Sequence, residues 1–218
     1  MKVLLMRKRG LVALMVNLII LGCCLPIIAQ QSKRYPTENE LQQLMNRFRI
    51  FVASPSIRSR AGYRDFYIQD RRNENETQKL KAFVRAWLPV NPDVAPFLGQ
   101  WTALEETQNI YPSTIKGKVC IIETFIPTAN DIGISFAQGT ISGKQVRTSE
   151  RTILVQQGNY LGVTFINTSN NQAGIYEYAW PKPLVDPSKL ISYIPQADRN
   201  RLLQQFKEAG CSDSLPQR

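Results

Sequence analysis

The chain has 218 residues, and 27 lysines and arginines against 17 aspartates and glutamates give it a formal net charge of +10. It contains no histidine, which excludes Ser-His-Asp and Cys-His catalytic centres and zinc sites that use imidazole. The sequence also lacks a glycine-rich phosphate loop, a Gly-x-Ser-x-Gly nucleophile motif and an acidic cluster with calcium-loop spacing. We therefore expect no metal site and no cofactor.

The first 29 residues have the pattern of an export signal. Positive charges at Lys2 and at residues 7–9 precede an apolar run at 11–24, and the small residue Ala29 follows. This order is typical of a secretory signal that is cleaved after the small residue. The pattern predicts a mature protein that begins near residue 30, is periplasmic or secreted, and has no stable membrane span after cleavage.

Two alternatives to cleavage after Ala29 remain open. Residues 20–23, Ile-Leu-Gly-Cys, resemble a bacterial lipoprotein box, in which Cys23 would be lipidated and become the first residue of a lipid-anchored protein. Alternatively, residues 11–29 approach the roughly 20 residues that a bilayer span needs and would act as an uncleaved anchor.

Cleavage of the signal leaves two cysteines, Cys120 and Cys211, in the mature chain. An even pair in an oxidising compartment is typical of one disulfide. The alternative is a pair of unbonded buried thiols.

The segment from 30 to 96 is basic, and its pattern predicts helices. Thr37 and Glu40 have the spacing of a capping box. Apolar residues follow at helical intervals up to Pro55. A second amphipathic helix is predicted from Asn75, a plausible cap, to Leu88. We expect both apolar stripes to pack on the next domain.

The connection between these two helices is rich in arginine and carries interleaved aromatic residues. This composition suits a surface that binds anions, and in an exported protein the available anions are lipid headgroups, acidic polysaccharide or an acidic partner protein rather than nucleic acid. The simpler interpretation is a solvated loop. The candidate anion-binding residues are Arg58, Arg60, Arg64, Arg71 and Arg72.

The remaining residues, 97–218, change to the alternation of β-strands. Seven short segments are separated by turn-rich breaks, which favours an antiparallel sandwich or barrel, and an amphipathic helix at 196–209 closes the chain. The expected fold class is therefore α+β, with an antiparallel β-barrel or strongly curved sheet flanked by N-terminal and C-terminal helices. The predicted strands are 100–106, 118–126, 132–137, 144–148, 152–156, 160–166 and 173–180.

The segment Gly99-Gln100-Trp101 resembles the Gly-x-Trp motif that opens the first strand of lipocalins and other calycin barrels. The strands and the late helix that follow, and the positions of Cys120 and Cys211, are similar to the arrangement in many lipocalins. The resemblance implies a barrel whose base is closed by Trp101 and which holds a small apolar ligand. The basic helical segment has no counterpart in that family.

Aromatic residues mark the candidate ligand site. By strand alternation Tyr176, Tyr178 and Trp180 share one face of the last predicted strand, and an aromatic row of this kind can line a pocket. Together with Trp101 they are the candidate ligand-binding residues. The alternative is that the row packs beneath the N-terminal helices.

We predict that this protein is an exported, non-enzymatic binding protein of the cell envelope that holds a small apolar ligand in a β-barrel. The first alternative is an interaction module that contacts an anionic envelope component through the arginine-rich segment. The second is a glycan hydrolase that uses two carboxylates, for which Glu123 and Glu177 are the candidates because both fall in predicted strands; Glu105, Glu106 and Asp131 are the other carboxylates considered.

Overall fold

Helices precede and follow a β-barrel in this protein. A computed structural model describes residues 34–54, 64–104, 106–128, 131–192 and 194–216. The predicted export signal, Cys23, Arg58 and Arg60 lie outside these ranges, and so does Glu105. The helical elements are α1 (Glu38–Ala53), α2 (Arg64–Ile68), α3 (Glu74–Trp87), a 3₁₀ turn (Ala95–Phe97), α4 (Pro187–Leu190) and α5 (Gln196–Glu208).

Eight antiparallel strands follow one another around a closed barrel in the order of the sequence. The predicted α+β fold class, with its barrel and flanking helices, is confirmed. The strands are β1 (Gly99–Thr102), β2 (Glu106–Pro112), β3 (Lys118–Thr128), β4 (Asp131–Ser142), β5 (Gln145–Thr148), β6 (Ile153–Gln157), β7 (Tyr160–Ile166) and β8 (Ala173–Lys182).

The capping box at the start of α1 is present as predicted. The backbone N–H of Glu40 donates to the Thr37 hydroxyl at 3.4 Å, and the Glu40 carboxylate accepts the Thr37 backbone N–H at 2.7 Å. These contacts satisfy two of the amides that a helix leaves unpaired at its first turn. The cap of α3 is Asn73, with Glu76 as its partner, two residues before the predicted Asn75.

The buried face of α1 packs on the outer wall of the barrel. Leu44, Phe48 and Phe51 form one apolar cluster with Ile175 and Ala179 of β8. The α1 stripe is therefore part of the core, as its helical spacing indicates. None of the helices in the described ranges is both long and apolar enough to cross a membrane.

The sequence pattern does not reveal β2. The predicted strand 100–106 contains most of β1 and Glu106, the first residue of β2, whereas the rest of β2, residues 107–112, lies outside every predicted strand. Both faces of β2 are buried: Ile110 faces the lumen, while Asn109 and Tyr111 lie under other parts of the chain. A strand that is covered on both faces lacks the apolar–polar alternation on which the prediction relied.

The C-terminal helix is tied to the barrel by the predicted disulfide. Cys120 in β3 is bonded to Cys211, with Cα atoms 5.9 Å apart. Leu202 and Phe206 of α5 pack in the same cluster against Tyr111 on the outer wall. The disulfide and this cluster together hold the end of the chain on the barrel.

The lumen is filled with apolar side chains near one end, which we call the base. Trp87, Val94, Phe97 and Leu98, from the residues just before β1, pack in one cluster with Trp101 and other lumen residues. We call the opposite end, where β2 and β8 begin, the mouth.

Close packing in the half of the lumen near the base predicts the effect of one added methyl group. A Cβ at Gly139 would overlap Val146 Cγ1 and would lie 2.7 Å from Val119 Cγ2. We expect Gly139→Ala to lower the free energy of unfolding by about 1–3 kcal/mol, measured by urea denaturation. Since Val146→Ala removes the overlapping methyl group, the double variant should lose less than the sum of the two single variants. Simple additivity would contradict close packing at this point.

Candidate functional site in the barrel mouth

The inner wall of the barrel changes from apolar to polar towards the mouth. Strand alternation turns Glu106 and Gln108 of β2, Glu123 of β3, Ser135 of β4 and Tyr178 of β8 into the lumen. Gln108 and Tyr178 are buried, while Glu106, Glu123 and Ser135 keep part of their surface exposed to solvent. We call these five residues the mouth network.

Hydrogen bonds join the mouth network across four strands. Tyr178 Oη donates to Glu106 Oε2 at 2.7 Å. Gln108 Nε2 donates to Glu123 Oε1 at 2.8 Å and lies 3.4 Å from Tyr178 Oη. Ser135 Oγ donates to Glu123 Oε2 at 3.1 Å. Two carboxylates therefore face one space that is partly exposed to solvent, and both are acceptors when ionised.

The sheet register explains why these residues meet. Gln108 of β2 is directly opposite Glu123 of β3, and Glu123 is directly opposite Ser135 of β4. Directly opposed residues on one face of a sheet have Cβ atoms about 5 Å apart. Trp101 of β1 is opposite Gln108 on the other side, so the network adjoins the tryptophan that is predicted to close the base.

Burial sets the protonation behaviour of this site. Burial raises the pKa of the Glu123 carboxyl, and the negative charges of Glu106 and Glu150 raise it further, whereas the hydrogen bonds from Ser135 and Gln108 lower it. Burial also raises the pKa of Tyr178 well above its ordinary value, and the adjacent Glu106 carboxylate acts in the same direction. Tyr178 therefore stays a phenol and acts as a donor.

The raised pKa of Glu123 predicts how stability varies with pH. The folded protein holds the Glu123 proton more tightly than the unfolded chain does. The contribution of this group to the free energy of unfolding is therefore greatest below the ordinary glutamate pKa, and it falls as pH rises through the raised pKa of the folded state. The Glu123→Gln variant does not lose stability in this way, because glutamine does not titrate. We expect the urea midpoint of the variant, minus that of the wild type, to be larger at pH 7 than at pH 4.

Other groups have the opposite pH dependence and serve as a check on this comparison. Hydrogen bonds with Arg34 hold the pKa of Glu40 at about 2, and those from Arg72 lower the pKa of Asp70. Their contributions weaken as pH falls. Because they are present in both proteins, they cancel in the difference between variant and wild type. A difference that does not change with pH would contradict the assignment to Glu123.

Three of the four predicted ligand-binding residues face the lumen. Trp101 and Tyr178 are buried in the lumen cluster, with Tyr176 packed against it. The ring centroids of Tyr176 and Tyr178 are 5.6 Å apart. The position of these residues is compatible with a ligand site, and their role in binding stays a prediction.

Trp180 does not share the face of Tyr176 and Tyr178, which corrects the predicted alternation. Gln100 pairs with Lys182, and Thr102 pairs with Ala179. β8 therefore advances by three residues where β1 advances by two, which means that β8 carries a bulge. Trp180 lies in the bulge with φ +51°, and its ring packs with the outer cluster under α1. The extra residue of the bulge reverses the alternation of the strand.

The two carboxylates proposed for hydrolysis are not brought together. Glu123 points into the lumen, whereas Glu177 lines the outside of the barrel with Arg47 and Phe51, on the opposite face of the β8 wall from Tyr176 and Tyr178. The carboxylate that approaches Glu123 is Glu106, whose charge acts on the pKa of Glu123.

The arginines of the predicted anion-binding segment differ in their surroundings. Arg71 is exposed, whereas the side chain of Arg72 is only 8% exposed and forms an ion pair with Asp70 at 2.7 Å. Arg72 also donates to the carbonyl of Pro181 at 3.0 Å and lies over the Trp180 ring. Arg72 thus holds the chain on the barrel, which differs from its expected exposure. Arg64 begins α2.

Sequence reasoning did not identify Gln108 and Ser135 as site residues. Gln108 lies in the strand that the pattern did not reveal, and Ser135 is an ordinary strand residue until the register places it opposite Glu123. A polar residue at an inward position of each of three consecutive strands is the signal that could have found them. Among the residues that the structure describes, no group of three or more acidic or cysteine side chains could hold a metal ion.

The geometry defines a closed eight-stranded antiparallel barrel with an apolar base and a polar mouth that is partly exposed to solvent. Comparison of the chain with protein families, with curated proteins and with solved structures finds no match in any of the three.

Proposed function

We propose that this protein is an exported binding protein that holds a small, mostly apolar ligand in the barrel mouth. The observation that carries the proposal is the mouth network, a set of five hydrogen-bonded polar residues on the inner wall above an apolar base. The apolar part of the ligand contacts Tyr176 and the aromatic residues around it, and a hydrogen-bond donor on the ligand, a hydroxyl or an ammonium group, meets Glu106 and Glu123.

Energetics favour a binding role for these polar side chains. A lumen that serves only as a core is most stable when it is apolar, since burying polar groups costs free energy even where hydrogen bonds offset part of the cost. Glu123 is largely buried and its charged form is disfavoured. Perturbed titratable groups in a concave site are typical of functional positions. A cationic or hydroxyl head group would add a donor to two carboxylates whose partners in the network, Tyr178, Gln108 and Ser135, are all neutral.

We further propose that the barrel is calycin-like. Strand order is sequential around a closed barrel. Trp101 is 1% exposed, and its Nε1 donates to the carbonyl of Phe97 at 2.7 Å, which fits a tryptophan that closes the base. The disulfide from β3 to Cys211, the third residue after α5, also fits the lipocalin pattern. The helices α1 to α3 are an addition to it.

Export is part of the same proposal. Disulfides persist in oxidising compartments such as the periplasm or the extracellular space, so the Cys120–Cys211 bond supports a location outside the cytoplasm. A free periplasmic or secreted protein and one anchored through a lipid at Cys23 both satisfy this condition, and the mass of the mature protein distinguishes them.

A matched pair of fluorescent probes tests the binding site. Both contain the same naphthyl group, and one ends in an ammonium group while the other ends in a carboxylate. We expect the ammonium probe to bind at least tenfold more tightly, because Glu106 and Glu123 attract it and repel the other. Ser135→Phe, which fills the space beside Glu123, should abolish binding, whereas Ser135→Ala should retain it. Equal affinity for the two probes, or full binding by Ser135→Phe, would contradict the proposal.

A second candidate function, hydrolysis by paired carboxylates, is favoured by one observation: Glu123, whose pKa is raised, shares the mouth with Glu106. A protonated acid beside an ionised carboxylate is the pairing that glycosidases use. Screening on glycan substrates tests it, and hydrolysis that is unchanged in Glu123→Gln would exclude this pair.

A further inference from the structure

The base of the barrel exposes four large aliphatic side chains, all of them in turns or irregular segments rather than in helices or strands. Among the residues that the structure describes, eight large hydrophobic side chains are exposed, so this one end of the molecule carries half of them. We call the four residues the base patch. They are Leu88 (48% exposed), Val90 (50%), Ile115 (48%) and Leu215 (60%).

Hydrogen bonds between three separate segments bring the base patch together. Asn91 Oδ1 accepts from the backbone N–H of Gly117 at 3.3 Å, which joins the turn after α3 to the turn between β2 and β3. Trp87 Nε1 donates to the carbonyl of Ser214 at 3.1 Å, which places the C-terminal segment beside the end of α3. Each of these groups lies within two residues of a member of the patch, so the four aliphatic side chains belong to one surface.

The charge beside the base patch is positive. Lys116 is exposed in the same turn as Ile115, and Lys144 is exposed in the turn between β4 and β5. The N–H of Ile141 donates to the carbonyl of Gly117 at 2.8 Å, so these two turns are neighbours. The other described charged residues within three positions of the patch are Arg85, Lys118, Asp93 and Asp213. Four cations therefore stand against two carboxylates.

We propose that the base patch docks the protein on the surface of an anionic lipid bilayer. The aliphatic side chains enter the boundary between headgroups and acyl chains, because their transfer out of water is favourable. Lys116 and Lys144 contact lipid phosphates, and an anionic leaflet attracts cations that lie close to it. This surface is distinct from the arginine-rich segment between α1 and α3.

The composition of the base patch favours lipid over a partner protein. Large exposed apolar patches mark contacts with proteins or with membranes. The cores of protein interfaces are enriched in aromatic residues, methionine and arginine, and they are depleted in lysine. The base patch has the opposite composition, since it consists of leucine, isoleucine and valine with lysines beside it. Lysine can also lay its apolar stem along such a surface while its ammonium group reaches the headgroups.

Docking through the base determines which way the barrel faces. The mouth network lies near the opposite end of the barrel from the base patch, so the mouth is directed away from the lipid and stays accessible from the aqueous side. The docking surface does not depend on a ligand in the mouth. It adds a location at a membrane surface to the proposed binding function.

Sedimentation with lipid vesicles tests the docking surface. All helices and strands belong to the compact unit Lys33–Arg218, so the chain from residue 30 onward is used, which removes the apolar export signal from the assay. We expect this chain to bind vesicles of phosphatidylcholine and phosphatidylglycerol. The double variant Leu88→Gln/Ile115→Gln should lose at least tenfold in affinity, and Lys116→Gln/Lys144→Gln at least threefold.

The matched control removes two equally exposed isoleucines from another surface. Ile50 and Ile68 are 48% and 41% exposed and lie on α1 and α2. The double variant Ile50→Gln/Ile68→Gln should keep the affinity of the unmodified chain. No binding of the unmodified chain to the anionic vesicles, or an equal loss in the two glutamine pairs, would overturn the proposal.

A tryptophan introduced at the base reports on insertion directly. Ile115→Trp and Ile50→Trp replace the same residue type at the same 48% exposure, and the native tryptophans are common to both variants. With vesicles that contain brominated lipid, we expect additional quenching and a blue shift of the emission for Ile115→Trp alone. Equal quenching in both variants, or stronger quenching for Ile50→Trp, would show that the base does not enter the bilayer and would overturn the proposal.

Discussion

Replacing Cys120 and Cys211 together by alanine is expected to lower the free energy of unfolding by about 4–5 kcal/mol. The bond closes a loop with a sequence separation of 91, and the chain-entropy model assigns this stabilisation to a loop of that size. Guanidinium denaturation of the oxidised wild type and of the double variant measures the difference. We expect the effect to be among the largest in the protein because the bond restricts the unfolded chain as a whole.

Reduction of the wild type provides the control for this substitution. Cys120 is 1% exposed and packs beside α5, so alanine also removes some packing, whereas reduction removes only the covalent bond. The guanidinium midpoint of the wild type in dithiothreitol should therefore be slightly above that of the double variant and far below that of the oxidised protein. A loss below about 1 kcal/mol in both samples would show that the residual structure of the unfolded chain already restricts this loop.

Trp101→Ala is expected to cost about 3–5 kcal/mol of stability. Trp101 is 1% exposed in the lumen cluster, and truncation of a buried tryptophan leaves a cavity that the surrounding β-barrel cannot close. The change also leaves the Phe97 carbonyl without the donor that it has at 2.7 Å. Urea denaturation followed by far-UV circular dichroism measures the loss.

Trp180→Ala is the matched control, since it removes the same side chain from the outer cluster. Trp180 is partly exposed, so less apolar area is lost there, and its positive φ is equally strained in both proteins because alanine keeps the Cβ. We expect Trp180→Ala to lower the free energy of unfolding by less than half as much as Trp101→Ala does. A larger cost at Trp180 than at Trp101 would contradict the assignment of Trp101 to the core of the barrel.

Local signals in the sequence predict the elements that local interactions create. The capping box at Thr37 and the apolar stripe that follows define α1 because a helix is stabilised within its own turns. Alternation of larger apolar residues with smaller or polar ones, as in Leu161-Gly162-Val163-Thr164-Phe165, predicts β7, and a similar though less regular pattern predicts most of β8. The cysteine count and the predicted compartment are enough to propose the disulfide.

The mouth network could not be predicted in the same way. Glu123 meets Gln108 and Ser135 through the register of three strands, and a register shift of one residue would have turned each side chain to the opposite face. The bulge that moves Trp180 to the outer wall is such a local shift, and nothing in the alternation of β8 indicates it. The site depends on pairings between strands, which the pattern within one strand does not contain.

Native mass spectrometry of the protein isolated from the cells that produce it tests most directly whether the barrel mouth holds a small ligand. We expect the intact wild type to carry an additional small mass that denaturing conditions remove, and a solvent extract to contain a mostly apolar compound with a hydroxyl or amino group. Ser135→Phe should be isolated without it. A bare polypeptide mass for the wild type, or an adduct that Ser135→Phe retains in full, would contradict binding in the mouth.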